Sequence, residues 1–436
     1  MNKPLVSNFV AQFRKSAPYI NAFRGKTFVI YINGRALLSD LFISLSQDIS
    51  LLDSLGIRLV LVHGCRRQID NLLMGSTKII DGIRVTDDAA LNAVKQAVGK
   101  VRIEFEAVLS RGLANSPMEG ADITISSGNY VKAKPYGIRN GINFLHTGEV
   151  RNINTIAVRA ELEQGHIVLL SPLGYSATGE VFNVCAEDIA FSVAEKLHAD
   201  KLLFLFDSNL VNDPDNTVVR QLAVEQIEQD FLQQDGIDPY TQKMLSAAVE
   251  SCRRGVSRLH FLNANVNGCL LQELFSRDGV GCLISLNPFE GTRAATINDL
   301  PGILELIEPL EAEGILVRRD RETLEMDLDH FTVTVRDGMI LACAALYQYK
   351  QHDSAELACL AVHPDYQHEG RGDVLLRYLE RQLKINKLGK LFVLSTRASH
   401  WFLERNFIKA NLDDLPLQRK SLYNYQRNSN VYIKQV

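Results

Sequence analysis

The chain has 436 residues, 46% of them hydrophobic and 22% charged, with 28 glycines and 12 prolines. At roughly 150 residues per domain this length predicts two or three domains with a sizeable core, and the composition excludes a largely disordered or fibrous chain. The formal net charge of −4 excludes a broad nucleic-acid-binding surface and leaves room for a local basic patch facing a small anion.

The seven cysteines, at 65, 185, 252, 269, 282, 343 and 359, form no CxxC pair. An odd number without zinc spacing predicts reduced, mostly buried thiols in a reducing compartment, and no metal site. The first residues, Met1 to Val6, lack a signal-like apolar core, and no stretch approaches 18 apolar residues, so a soluble, cytoplasmic protein without a membrane span is expected.

In chain order, Leu5, Phe9 and Phe13 recur at i+4 with Val6 and Val10 alongside. This predicts a helix over 5–24, limited by Pro18. The run Thr27–Ile32 reads as a buried strand, Asn33-Gly34 as a turn, then a helix to about Leu55 and a strand Arg58–Val62. A helix near 87–111 follows, with strands near 121–134, 167–170 and 201–206, a helix over 239–254, and strands near 258–262 and 282–286. Short apolar runs separated by helices predict a mainly parallel, doubly wound α/β sheet over residues 1–285.

Asn287-Pro-Phe-Glu-Gly291 carries two breakers, and a boundary is expected near 286. Beyond it the pattern predicts a helix over 295–312 with Asp299 as N-cap and a helix near 320–328. Strands are expected over 331–336, 339–347 and 356–362, then helix 370–386, strand 391–395, helix 398–405 and a tail strand near 430–434. Strands that run consecutively before a helix are the mark of an α+β domain, here residues 286–436.

The strongest motif joins these elements: Glu356-Leu-Ala-Cys-Leu-Ala-Val362-His-Pro-Asp-Tyr-Gln367-His-Glu-Gly370-Arg-Gly372. A strand runs into a Q-x-x-G-x-G loop that opens a helix. Two glycines let successive amide N–H groups approach an anion, and the helix N-terminus adds partial positive charge, a geometry suited to a pyrophosphate. The dinucleotide fingerprint is excluded, because His-Pro-Asp-Tyr stands where it needs a glycine turn.

This run resembles motif A of the Gcn5-related N-acetyltransferases, whose loop holds the pyrophosphate of acetyl-coenzyme A. The resemblance makes Gln367, His368, Glu369, Gly370, Arg371 and Gly372 the expected pyrophosphate loop, with the backbone at Cys359, Leu360 and Val362 holding the acetyl carbonyl and pantetheine arm. Glu313–Glu322, Ala342–Tyr347, Leu391–Arg397, His400–Arg405 and Tyr423–Ser429 further resemble the bacterial N-acetylglutamate synthases.

That family transfers acetyl from acetyl-coenzyme A to L-glutamate at the opening of arginine biosynthesis, with no permanently bound cofactor. Family resemblance makes Glu356 the base; Ser395, ending the next strand where the two strands should splay, is a candidate proton donor to the leaving thiolate, with Tyr423 or Tyr425 as alternatives. Resemblance to the family's substrate-binding segments makes Arg318, Arg319, Arg427 and Ser429 the candidate glutamate-binding residues, and arginine pairs bidentately with carboxylates. Cys359 is not expected to carry an acyl group, because a buried strand cysteine is commonly inert.

Residues 1–285 resemble the amino acid kinase fold, particularly acetylglutamate kinase. Tyr31 stands in the place of the lysine of working kinases, Asn33 replaces one glycine, and the second phosphate loop reads His63-Gly64-Cys65-Arg66-Arg67. Kinase activity is therefore not expected. Arginine-sensitive relatives combine an N-terminal helix with a late E-L-F-x-x-x-G-x-G segment, here Glu273–Gly281. The resemblance implies an L-arginine effector site at Tyr19, Glu273, Gly279 and Gly281, with Cys282 where a threonine is usual, and a homohexamer. Two competing readings are an acetyltransferase for another amine and a catalytically silent arginine sensor. A glutamate enzyme needs basic side chains for two carboxylates, and a silent domain has little reason to retain the glycine loop.

Overall fold

The computed structural model describes residues 8–38, 41–112, 116–213, 217–232, 237–286, 290–336, 338–367, 370–397 and 399–436. Leu5, Val6, the first residues of the 287–291 breaker loop, His368 and Glu369 lie outside the described residues. The chain divides into two compact units, Met1–Pro288 and Phe289–Val436.

The first unit is built on an eight-stranded sheet. Its order is Gln221–Ala223, Cys282–Ser285, Leu259–Asn263, Lys201–Phe206, Thr27–Ile32, Arg58–His63, Ile167–Leu170 and Ile125–Ser127. All pairings are parallel except that of Leu259–Asn263 with Cys282–Ser285. Alternation along each strand divides the core into two layers. Phe28, Ile30 and Ile32 join one apolar cluster, and Val29 and Tyr31 the other. Continuous apolar strands such as Thr27–Ile32 arise because helices cover both faces.

Two features of this unit differ from expectation. The helix Asn8–Phe23 runs through Pro18 instead of stopping there. Its last turn is anchored by Phe23, whose ring packs 5.3 Å from Phe28 and 5.8 Å from Phe275, so tertiary contact outweighs the amide that proline lacks. Part of the expected strand region near 121–134 also belongs elsewhere. Val131–Pro135 leaves the main sheet to form a small closed barrel with Thr147–Ile153, Leu173–Tyr175 and Val181–Val184.

The second unit holds a seven-stranded sheet. Its order is Glu290–Ala294, Phe331–Arg336, Met339–Tyr349, Ser354–Val362, Lys390–Ser395, Asn430–Gln435 and Ile408–Ala410. Helices Leu300–Ala312 and Arg371–Ile385 pack against it. Glu290–Ala294, expected to start as loop, is an edge strand paired with Phe331–Arg336. Asp299 does not cap Leu300–Ala312 with its side chain; its carboxylate accepts hydrogen bonds from the Thr296 amide and hydroxyl and from both arms of Arg293.

Candidate active site

The centre of the second sheet comes apart. Ser354–Val362 and Lys390–Ser395 run parallel, yet pair over only four positions, from Ser354↔Lys390 to Leu357↔Val393. Just beyond the last pair, Cys359 adopts φ +51°. Against the other neighbour, Ala358 and Ala361 face Ala345 and Cys343, so this strand carries one extra residue. The bulge turns the strand away from its parallel partner, and Cys359 and Leu360 stand outside the register with either neighbouring strand. The gap leads to the glycine loop, where Gly370, at φ +76°, caps the helix Arg371–Ile385.

The loop residues do different jobs. Gln367 donates from Nε2 to the Val362 carbonyl at 3.2 Å. Gly370 is required by its left-handed backbone, since a Cβ there would meet nothing within 4 Å. Gly372, expected to clear the way for an anion, is instead covered by Trp401: a Cβ would sit 3.0 Å from the indole. The Arg371 side chain is unavailable to an anion. Its Nε and Nη2 grip Glu290 at 2.9 and 3.1 Å, and its guanidinium lies 4.9 Å over the Tyr366 ring. Arg371 therefore offers a ligand its amide alone.

Glu356 is buried in the strand before the bulge, and it is not a free base. Arg419, from the short helix Leu417–Ser421, holds it bidentately at 2.6 and 3.0 Å. Tyr349 packs nearby, its hydroxyl pushed up to about 12 by burial and by the Glu356 charge. Ser395 is buried two residues past the last parallel pair, where the strands have parted. Tyr423 donates its hydroxyl to the Ser429 carbonyl at 2.8 Å, and Tyr425 is exposed.

Two of the three arginines selected from sequence meet at the bulge. The Arg319 guanidinium donates to Cys359 Sγ, and its amide to Glu311 at 3.1 Å. Arg427 donates from Nη2 to the Ile315 carbonyl, while its buried Nε has no hydrogen-bond partner among the described residues. Burial, then the charge of Arg319, hold the Arg427 guanidinium below its usual range. A carboxylate accepting from Arg427 Nε would remove both penalties. Arg318 is exposed and Ser429 half-buried. Burial pushes the Cys359 thiol up to about 11 against the pull of Arg319, so it is protonated at neutral pH and unsuited to nucleophilic attack.

The comparisons with known proteins agree with this geometry. An amino acid kinase family profile matches residues 26–263, and an acetyltransferase (GNAT) domain profile matches residues 327–409. An amino-acid acetyltransferase of Pseudomonas fluorescens (strain SBW25) is 48% identical over 430 residues, covering 98% of this chain and 99% of its own. That of Yersinia enterocolitica is 46% identical, with 98% of each chain covered. The chain belongs to the amino-acid acetyltransferase family.

Two crystal structures of N-acetylglutamate synthase from Neisseria gonorrhoeae match the acetyltransferase over nearly its whole length. The complex with coenzyme A and L-arginine is 37% identical, with a TM-score of 0.88 over 99% of this chain and 100% of that one. The complex with coenzyme A and N-acetyl-glutamate is 38% identical, with a TM-score of 0.64 over 98% and 99%.

Two further places in the acetyltransferase's first unit hold residues singled out from the sequence. At the carboxyl ends of Thr27–Ile32, Arg58–His63 and Lys201–Phe206 lies a cavity of about 850 Å³. There Tyr31 and Tyr240 donate to Glu187 Oε1 at 3.0 and 2.9 Å, and Cys185 to Oε2 at 2.9 Å. Burial opposes the Glu187 charge, but Arg66 and these hydrogen bonds keep its carboxyl below the usual range. The second place is the Glu273–Gly281 segment. Glu273, expected in an L-arginine effector site, has both oxygens engaged: Oε1 accepts from His260 Nδ1 at 2.6 Å, and Oε2 from the amides of Val280 and Gly281 at 2.7 and 2.9 Å.

Those hydrogen bonds overcome burial and hold the Glu273 carboxyl near 2. Lys201 Nζ lies 3.4 Å from His260 Nε2 and 5.0 Å above the Phe23 ring. Glu273 therefore shapes the glycine turn, and Gly279 is glycine because a Cβ would meet that carboxylate at φ +60°. Tyr19 is half-buried on the first helix, 6.0 Å from Phe23, and the Cys282 thiol is pushed up to about 12 by burial. Sequence reasoning gave no role to Glu290, His260 or Lys201, and Trp401 entered it only within the segment His400–Arg405. Arg419 stood among the basic residues of the acid-free stretch from Pro416 to Val436, as a candidate for binding carboxylate, without its partner Glu356.

Proposed function

We propose that this enzyme transfers the acetyl group of acetyl-coenzyme A to the amino group of L-glutamate, giving N-acetyl-L-glutamate and coenzyme A. The observation that carries this reading is the parted strand pair that ends at a glycine-capped helix, with two arginines at its bulge. The gap suits an extended thioester arm and the helix start a pyrophosphate. The Neisseria gonorrhoeae relatives were crystallised with coenzyme A and with N-acetyl-glutamate or L-arginine.

Amides of the glycine loop, with Gly370 as helix cap, hold the pyrophosphate. Main-chain groups of Cys359, Leu360 and Val362 hold the pantetheine arm and polarise the thioester carbonyl. Arg319 and Arg427 receive glutamate carboxylate, the unpartnered Nε of Arg427 gaining an acceptor. Glu356, held in place by Arg419, takes the ammonium proton directly or across one water, and the free amine attacks the carbonyl carbon. Ser395 gives its hydroxyl proton to the departing thiolate and is reprotonated by the second proton that the nitrogen sheds as the amide forms. No residue becomes acylated.

The first unit acts as a regulatory domain. Its cavity has Tyr31 where a working kinase has lysine, so it does not transfer phosphoryl groups. L-Arginine binds between the first helix and the Glu273–Gly281 segment and inhibits, as the end product of the pathway this reaction opens. Its guanidinium is received by main-chain carbonyls of the turn that Glu273 shapes. The exposed Phe9 and Phe13, with rings stacked 5.9 Å apart, lie against a second copy in a hexamer. Seven free cysteines suit a reducing cytoplasm, and among the described residues no helix is long and apolar enough to cross a membrane.

The test is release of free thiol from acetyl-coenzyme A across a panel of amino acids, without ATP. Glutamate is expected to exceed neutral amino acids by at least about a hundredfold in kcat/KM, the discrimination of an unpaired buried arginine. Comparable turnover of several neutral amino acids would overturn the glutamate assignment.

A further inference from the structure

We propose that Arg405 is a positioning residue for the coenzyme's phosphates, because it neutralises Asp373, an acid built into the helix turn that receives them. The proposal rests on the coenzyme reading above and deepens it.

The helix that starts after Gly370 has Asp373 in its first turn. In the empty protein an acid there is favourable, since it faces the positive end of the helix dipole. The same turn is where a pyrophosphate would be received, and a bare carboxylate would then repel the ligand. Asp373 is not bare. Arg405 grips it with Nε on Oδ1 and with Nη2 on Oδ2 at 3.0 Å.

Arg405 comes from beyond the short helix Ser399–Leu403 and is itself fixed. Its Nη1 donates to the Trp401 carbonyl at 2.9 Å, and its guanidinium lies 4.0 Å over the Trp401 ring. That same indole covers Gly372. Three successive positions of the loop are thus held from outside the helix: Arg371 by Glu290, Gly372 by Trp401, and Asp373 by Arg405.

The pair is half-exposed, with 22% of the Arg405 side chain and 36% of that of Asp373 accessible. An ion pair so placed adds little to stability. Its effect on the charge of the turn is larger, because a unit charge within several ångströms of an anion matters even when partly screened. Glu404 also reaches Arg405 Nη1 at 3.2 Å, and Arg377 donates from Nε to the Asp373 carbonyl at 3.3 Å. Neither replaces the fork on the Asp373 carboxylate.

The experiment uses the full-length enzyme and the variants Arg405→Gln, Asp373→Asn, the double variant, Arg405→Lys and Gly370→Val. KM for acetyl-coenzyme A, KM for glutamate, kcat and the thermal midpoint are measured for each. Arg405→Gln is expected to raise KM for acetyl-coenzyme A about tenfold, equivalent to about 1.4 kcal/mol of repulsion, with kcat and the glutamate KM within about twofold of the parent. Asp373→Asn should leave the coenzyme KM unchanged or lower it. The double variant should return it to within about twofold of the parent, and Arg405→Lys, which keeps the charge, should stay close to the parent even if Arg405→Gln folds poorly.

A double variant as impaired as Arg405→Gln, or an Asp373→Asn variant equally impaired, would make the pair a structural latch and overturn the proposal. A Gly370→Val variant that raises the coenzyme KM, beside an Arg405→Gln variant that does not, sinks this proposal alone. Coenzyme affinity untouched by Gly370→Val sinks the underlying reading.

Discussion

Glu356 shows how a single residue can be singled out by sequence while its partner stays hidden. Family resemblance proposes it as the base, but nothing local indicates that Arg419, 63 residues later, holds both carboxylate oxygens. Replacing the carboxylate with an amide should lower kcat by about a hundredfold or more, with the acetyl-coenzyme A KM little changed and partial recovery at higher pH, where more substrate amine is free. Steady-state rates of Glu356→Gln across pH check this, and a parental rate at neutral pH would leave Glu356 a structural role only. Arg427→Gln should raise the glutamate KM by roughly tenfold to a hundredfold, the range for a hydrogen bond to a charged group, and leave the coenzyme KM unaltered. Equal effects on both KM values would point to a distorted site. The glycine loop was legible as a loop, and the roles inside it were not. Gly370 follows from backbone geometry, whereas the indole over Gly372 and the Glu290 grip on Arg371 are long-range contacts without a local pattern.

At the scale of elements, apolar density decided what could be read. Thr27–Ile32, Arg58–His63 and Lys201–Phe206 are buried almost end to end, and their sequences show it. The barrel strands Val131–Pro135 and Thr147–Ile153 mix lysine, glutamate and asparagine with their apolar residues, and the edge strand Glu290–Ala294 has no large apolar residue. Such strands are defined by their partners. The first helix is the opposite case: its pattern was plain, but Pro18 suggested an early end that the docked Phe23 overrides. Phe9 remains 73% exposed and Phe13 59%, more apolar surface than a free helix should carry. Removing residues 1–20 should therefore reduce the mass of the oligomer and abolish arginine inhibition, with acetyl transfer retained. Light scattering and inhibition curves test it, and unaltered mass with unaltered inhibition would remove the helix from the regulatory scheme.

For the whole molecule, buried histidines set a direction for acid stability. Burial lowers His63 from 6.5 to about 4, and lowers His260, where the Lys201 charge adds to it. The unfolded chain takes up protons below pH 6.5 that the folded chain refuses, so stability is complete above that pH and is lost as pH falls toward 4. For His63 alone the loss is up to about 3 kcal/mol. Asp48, raised to about 6 by burial, works in the opposite sense over part of the same range. Urea midpoints should fall between pH 6.5 and 4.5, and fall more steeply in Asp48→Asn; a flat profile would contradict the linkage. The parted strands of the second unit carry a different consequence. The halves of that sheet are joined by only four parallel residue pairs, and the main chain beyond them faces a gap where an amide-bearing arm could lie as a surrogate strand. Amide protons of Cys359 and Leu360, which stand outside the register with either neighbour, should accordingly exchange with deuterium quickly in the unliganded enzyme and slowly once coenzyme is bound. Shielding should spread from there into Lys390–Ser395, so that the ligand acts as the mortar between two courses of one wall.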